Sequence, residues 1–314
     1  MCLFSGCWSR LAIKGGYRVK ETQDTPHIRR RLLHKSKVNR SHGGNFLAFL
    51  LIILLGCFIA LPFVYAVSNA FKPLNELWIF PPKMLPQKPT FANFSDLFSL
   101  MGNSWVPVSR YLFNTIFITV VGTLGQVILA SLCAYPLAKH PFPGAKFIFK
   151  LIFYSLMFSG AVTGIPSYLI MMNLGWVDTY WAVIIPAMGS SFGLYLMKQF
   201  MEQINDSILE AAKIDGAGEW RIFWTVVMPQ VKPAWLTLIV FSVQALWNTN
   251  PATLIFSEQL KTFPYAISQI VAGGIARAGV GSAMSVLMMI VPILVFMLSQ
   301  TQIIETMTSS GVKE

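Results

Sequence analysis

Asn205-Asp206-Ser207-Ile208-Leu209-Glu210-Ala211-Ala212-Lys213-Ile214-Asp215-Gly216-Ala217, followed further on by Met228-Pro229 and by Pro233, is the stretch on which the reading of this chain turns. It is the one long polar interruption between hydrophobic runs, and it carries its own helix signals. Ser207 followed three residues later by Glu210 has the form of a capping box, in which each side chain satisfies an orphan backbone N–H of the first turn. Ile208, Leu209, Ala211, Ala212 and Ile214 recur at helical spacing. Gly216 stands where a left-handed C-terminal cap is wanted, and Pro229 and Pro233 are placed to stop a second short helix before the next apolar run. A short, capped, amphipathic helix between two membrane spans has little reason to exist unless it docks on a partner.

The flanking sequence is that of a membrane protein. Hydrophobic residues make up 54% of the chain and charged residues only 12%, against roughly 25% charged in an average soluble domain. The mean hydropathy is +0.58. At about 20 apolar residues per span, six spans are expected: Phe46–Phe71, Leu112–Leu137, Phe147–Met172, Tyr180–Leu196, Ala234–Phe256 and Ser282–Ile304. The fifth is the weakest, because Asn248, Asn250 and Pro251 interrupt it.

Basic residues set the expected orientation. With the N-terminus in the cytoplasm, 18 of the 24 Lys and Arg fall on the inner side, ten of them between Arg10 and Arg40, and Lys72, Lys83, Lys88, Arg110, Lys261 and Arg277 fall outside. This is the bias of the positive-inside rule, and it places Glu210 in the cytoplasm. The net charge of +11 then belongs mostly to a cytoplasmic tail, residues 1–45, attracted to anionic headgroups, and asks for no nucleic-acid partner. The tail, with Gly15-Gly16 and Thr25-Pro26, reads as disordered near its start. The first apolar run is too long and comes too late for a cleavable signal peptide.

Glu210-Ala211-Ala212, Asp215-Gly216-Ala217 and the later Met228-Pro229 resemble the "EAA loop" of permease subunits of bacterial ABC importers, the binding-protein-dependent transport inner-membrane components. Met228 stands where the family usually has leucine, a mild change between side chains of similar volume. From about Phe46 to Lys313 the chain is similar to the carbohydrate-uptake branch, in the subunit type that pairs with a second, homologous permease. The resemblance implies an all-α fold of six spans over residues 46–308, a cytoplasmic coupling loop at about 198–233 and a short tail, 309–314. It implies that Glu210, Ala211, Ala212, Asp215, Gly216, Ala217 and Pro229 form a coupling helix seated in a groove of a cytoplasmic ATPase. Two ATP-binding subunits, a second permease and an extracellular solute-binding protein complete such a complex in the bacterial inner membrane.

Catalytic and metal-binding motifs are absent from the sequence. Cys2, Cys7, Cys57 and Cys133 lack metal-ligand spacing and read as small buried hydrophobes. His27, His34, His42 and His140 all fall in polar tail or loop. No phosphate-binding loop, zinc-protease signature or nucleophile elbow occurs. The chain is therefore expected not to be an enzyme and to hold no cofactor of its own, ATP and Mg being bound by partner subunits. Acids and histidines at membrane depth, which an ion-coupled carrier keeps in spite of their cost, are missing. That speaks against a self-sufficient secondary transporter. A non-transporting scaffold would leave the capped loop helix without purpose, and an ABC permease for a non-sugar solute is the nearer alternative.

The spans carry weaker clues. Gly160-Ala161-Val162-Thr163-Gly164 and Gly189-Ser190-Ser191-Phe192-Gly193 allow close helix approach, either within the chain or against a second permease. Trp247-Asn248-Thr249-Asn250-Pro251 joins a helix break to two amides and an aromatic ring, a set able to bind sugar hydroxyls and stack on a pyranose. Its other reading is a polar kink satisfied by neighbouring helices. Trp105, Tyr180 and Trp181 sit where interfacial belt residues sit. Lys72, Lys261 and Arg277 on the outer side suit either an acidic glycan or a solvated rim.

Overall fold

The computed structural model describes residues 42–102, 106–140, 142–158, 160–274 and 277–310. The basic tail through Arg40 and Trp105 lie outside them. Among the described residues the chain is helical, without a strand. Two units are distinguished, residues 1–56 and 57–314. The described residues of the first belong to helix α1 (His42–Ala70), which runs on in sequence into the second. Every residue of α1 from Gly44 to Tyr65 is exposed, and nearly all are apolar. A helix apolar all round and uncovered by its own chain is a helix for lipid or for other protein.

Beyond α1 come α2 (Leu74–Leu77), α3 (Ala92–Gly102), α4 (Val108–Lys139), α5 (Ala145–Ser155), α6 (Gly160–Asn173), α7 (Trp181–Met188) and α8 (Ser191–Glu202). The loop elements are α9 (Asp206–Ile214), α10 (Glu219–Ile222), a π-helical turn (Phe223–Val227) and α11 (Met228–Gln230). Then follow α12 (Lys232–Trp247), a 3-10 turn (Glu258–Leu260), α13 (Phe263–Val271) and α14 (Ala278–Ser310).

Three of these helices, α1, α4 and α14, are long and apolar enough to cross a membrane singly, and a fourth crossing is available if the bent pair Glu219–Gln230 and Lys232–Trp247 acts as one. The other two expected spans are broken. Phe147–Met172 divides into α5 and α6, whose join begins with three successive i→i−3 bonds ending at Phe158 N–H to Ser155 C=O, 3.3 Å. Tyr180–Leu196 divides into α7 and α8 at Gly189, just after Pro186 has removed a backbone donor. The expected fifth span stops early: α12 ends at Trp247, and Asn248–Ser257 is not helical.

α4 is the axis of the larger unit. Its 32 residues measure about 48 Å at 1.5 Å per residue, and α7, α8 and α12 pack along it. Glycine permits the approach. A β-carbon on Gly122 would fall 2.7 Å from Leu246 Cδ1, and one on Gly125 would fall 2.2 Å from Met188 Cε. Of the glycine pairs flagged in the sequence, Gly193 does meet a neighbour, Leu238, at 3.1 Å, whereas Gly160 and Gly164 have nothing of this chain within 4 Å. Cys57 and Cys133, read from sequence as buried, are exposed, because each lies on the uncovered side of a span-length helix.

At the N-terminal end of α4, three buried polar side chains lash down the chain that follows α12. Asn114 donates to the carbonyls of Gln259 (2.8 Å) and Lys261 (2.9 Å) and accepts from the Tyr180 hydroxyl (2.7 Å). Thr115 accepts from Phe263 N–H at 2.8 Å, and Tyr111 donates to Glu258 at 2.7 Å. Asn114→Leu should therefore lower the thermal midpoint of the purified protein by the equivalent of about 3 kcal/mol, since each buried group left unpaired costs about 1–3 kcal/mol. Phe113→Leu, one residue away and exposed, is the control. Equal midpoints for the two variants would show that the lashing does not stabilise the fold.

Candidate functional site

The polar stretch forms a helix clasped by the C-terminal end of α4. Asn205, in an extended conformation (φ −69°, ψ 129°), caps it: Oδ1 accepts from Ser207 N–H at 3.1 Å. This corrects the Ser207/Glu210 capping box. With the cap at Asn205, Ser207 is already inside the first turn, the position that would reach back is Ile208, and Glu210 is too far along. Asparagine caps as well as serine, and the earlier start gives Asp206 a place in the first turn, where a negative charge suits the helix dipole.

The far end closes as the sequence indicates. Gly216 has φ +79°. Its N–H bonds to Lys213 C=O and that of Ala217 to Ala212 C=O, both at 3.0 Å, which is the Schellman pattern.

The apolar residues of α9 divide between two faces. Leu209 is buried, and Ala212 and Ala217 pack beside it, against a core that includes Val127, Tyr135, Met197 and Met201. Ile208 and Ala211 point away and are exposed, and Ile214 is 86% exposed. Glu210, Asp215 and Pro229 are also exposed.

Two side chains one turn apart on α4 hold the loop. Lys139 Nζ donates to Ile204 C=O (2.5 Å) and pairs with Asp206 (2.7 Å), at the start of α9. Tyr135 donates to Glu219 Oε2 at 2.9 Å, just past its end. Glu219 is also paired with Lys213 (2.6 Å) and approached by His140 (3.4 Å). The hydrogen bond from Lys213, helped by that from Tyr135 and opposed by partial burial, holds the Glu219 carboxyl below its usual range. Asn205 was legible as a cap beside Asp206; the pairing of Tyr135 and Lys139 with residues 67 to 84 positions away was not.

Pro229 does not end the second loop helix, as the sequence suggested. Glu219–Gln230 is one helical run, and the break falls after it, with a 76° bend before Lys232–Trp247. Ahead of the proline the helix widens: Met228 N–H reaches Phe223 C=O in the π turn, and Pro229, without an N–H, cannot continue that pattern. Val231 (φ −92°, ψ 20°) sits at the bend, and Pro233 lies in the first turn of α12, where its missing N–H breaks no helical bond.

The candidate solute residues are placed differently from one another. Trp247 is buried and its Nε1 donates to Met288 C=O at 3.0 Å, so its ring packs α12 against α14 and is not free to stack on a sugar in this conformation. Asn248 is exposed, donates to Gln244 C=O at 2.8 Å and lines a recess of about 350 Å³ with Ile267, Ser285, Met288 and Met289. Asn250, also exposed, donates to Ser268 Oγ at 3.3 Å. A second recess, about 660 Å³, lies between α7 and α12, lined by Gln126, Ser190, Phe192, Phe241 and Ser242.

The cap assignment has a direct check. Asn205→Ala should weaken α9 by about 1 kcal/mol, raising the amide exchange rate of Ser207 and its neighbours about fivefold, while Ser207→Ala changes little; the reverse order would restore the capping box. The clasp has a pH signature. Because the folded pKa of Glu219 is depressed, its contribution is complete above the ordinary carboxylate range and fades as pH falls through the lowered value. Exchange protection of α9 should fall on acidification in the native chain and lose that pH dependence in Glu219→Gln.

Residues 46–308 match the family described as the binding-protein-dependent transport system inner membrane component. The chain is 33% identical over 214 residues to protein LplC of Bacillus subtilis (strain 168), covering 67% of this chain and 69% of that one. It is 30% identical over 219 residues to the polygalacturonan/rhamnogalacturonan transport system permease protein YtcP of the same organism, covering 70% and 73%. Among solved structures it is similar to a chain of a bacterial ABC transporter involved in the import of the acidic polysaccharide alginate, with a TM-score of 0.70, 25% identity, and coverage of 83% of this chain and 98% of that one. By fold and by sequence, then, this chain belongs to the inner-membrane permease components of binding-protein-dependent transport systems.

Proposed function

We propose that this chain is one half of the transmembrane pathway of an ATP-driven importer for a sugar or oligosaccharide. A second, homologous permease supplies the other half, two ATP-binding subunits drive it, and a binding protein outside delivers the solute. A relative named for polygalacturonan/rhamnogalacturonan transport and a structural neighbour involved in the import of alginate support a carbohydrate cargo. The distribution of Lys and Arg supports cytoplasmic termini, with the tail 1–45 and residues 309–314 on the inner side.

The two-faced loop helix carries this reading. Leu209 and Ala212 secure α9 to its own chain while Ile208, Ala211 and Ile214 are left bare, and a docked partner is what covers an apolar face kept on a rigid, double-capped helix. Motion of the docked ATPases is passed on along two routes. Lys139 and Tyr135 transmit it to α4. The continuous run Glu219–Gln230 transmits it through the bend at Val231 to α12, which carries Asn248 and Asn250 at its far end. Exchange between inward-open and outward-open states then follows from rocking these helices against the partner permease. Asn248 and Asn250 are the solute contacts in this reading, with Trp247 holding them in place.

Ile214→Asp and Gly216→Pro test the docking. Ile214 is too exposed for aspartate to disturb the fold. Proline at 216 cannot adopt a φ of +79° and also loses the capping N–H, a local cost of about 1–3 kcal/mol that membrane insertion would survive. Both variants should insert normally yet lose solute-stimulated ATP hydrolysis at least about tenfold. Full activity of Ile214→Asp would show that α9 is not the docking element.

A further inference from the structure

The cations at the α4 N-terminal end of the bundle are not equivalent. Lys72 is buried and donates to Asn69 Oδ1 (2.8 Å) and Lys83 C=O (2.5 Å). Lys261 is spent on Glu258 and Tyr265, both at 2.7 Å. Arg110 donates to Gln259 C=O at 3.3 Å. The guanidinium of Arg277, half-buried, has no hydrogen bond or ion pair among the described residues. Its stem lies against Gly273, where a β-carbon would come within 2.6 Å of Arg277 Cδ, so the glycine is what lets the side chain lie there.

Arg277 lines a recess of about 470 Å³ with Trp78, Val271, Gly281, Ser282 and Ser285. Ser285 also lines the recess that holds Asn248. The two adjoin along one stripe of α14, a track of about 18 Å from Arg277 to Met289 at 1.5 Å per residue.

The polar lining has a definite sense. Ser282 donates to Ala278 C=O (3.1 Å), Ser285 to Gly281 C=O (2.9 Å), and Asn248 spends an amide hydrogen on Gln244 C=O (2.8 Å). With those hydrogens committed, the hydroxyl oxygens and the Asn248 carbonyl are acceptors, which suits the O–H donors of a sugar. The guanidinium is donor only and matches a carboxylate in a two-pronged pair. Trp78, 57% exposed, adds an apolar face beside it. A lipid phosphate wants donors, and the serine-lined wall has spent its own.

We propose that this track binds the imported saccharide and that its Arg277–Trp78 end reads a carboxylate, making uronate-bearing, acidic oligosaccharides the preferred substrate class. The proposal rests on the import function given above. The test uses the whole complex, with its second permease, ATPase subunits and binding protein, in proteoliposomes. Uptake is measured for trimers of galacturonate, glucuronate and mannuronate and for the carboxyl-reduced, neutral form of each.

At least one uronate trimer should be imported in preference to its neutral form. Arg277→Gln should cut that uptake about tenfold, the effect of one charge-assisted hydrogen bond. Arg277→Lys should restore part of it, and Gly273→Ala, which displaces the guanidinium, should mimic the loss. Import of neutral trimers at equal or higher rates, unchanged in Arg277→Gln, would overturn the carboxylate subsite and leave sugar import standing. Import of a non-saccharide solute alone would overturn both. Unchanged uptake in Arg277→Gln, with loss of copurifying anionic lipid, would make this end a headgroup site and overturn the proposal.

Discussion

Lys139 and Tyr135, one turn apart at the end of α4, hold the loop helix from both sides, and the rest of the arrangement depends on that grip. Lys139 is almost wholly buried yet reaches Asp206 and the Ile204 carbonyl, and Tyr135 reaches Glu219. A nine-residue helix is too short to stand alone in water. Its caps, the burial of Leu209 and this grip together convert it from a marginal helix into a rigid projection on a long lever.

The opposite end of α4 solves a different problem. The non-helical chain after Trp247 carries backbone groups that neither lipid nor an apolar core can satisfy. Asn114, Thr115 and Tyr111 take up that duty for Gln259, Lys261, Phe263 and Glu258, and Asp178 accepts from the N–H groups of Phe256 and Ser257 at 2.8 and 2.7 Å. The hydrogen bonds from Ser257 hold the Asp178 carboxyl below its usual range. α12 is thus free to end in mid-course at Trp247, with Asn248 and Asn250 exposed just beyond it. One helix therefore supports the loop helix α9 at its C-terminal end and the polar break at its N-terminal end.

The two ends also show why apolar pattern alone misleads. Ile208, Leu209, Ala211, Ala212 and Ile214 read as one stripe, since a stripe is what a helix with a single buried face needs. In the folded chain they are two stripes, one against the core and one bare. The span count was similarly blurred: Phe147–Met172 and Tyr180–Leu196 are apolar enough to be continuous, yet the chain breaks each near a glycine or proline.

Much was determined by the sequence itself, wherever the cause is local. Apolar runs with few charges dictate helices for lipid, Gly216 dictates its left-handed cap because other residues pay for that conformation with their β-carbon, and the spacing of Glu210, Gly216 and Pro229 marks the family. Only the tertiary structure decided that Lys139 and Tyr135 reach across to Asp206 and Glu219, that Trp247 is spent in packing against α14, and that the guanidinium of Arg277 is left without a hydrogen bond or ion pair among the described residues. Each of these turns on which distant group comes within hydrogen-bonding or van der Waals reach, and no spacing along the chain contains that information.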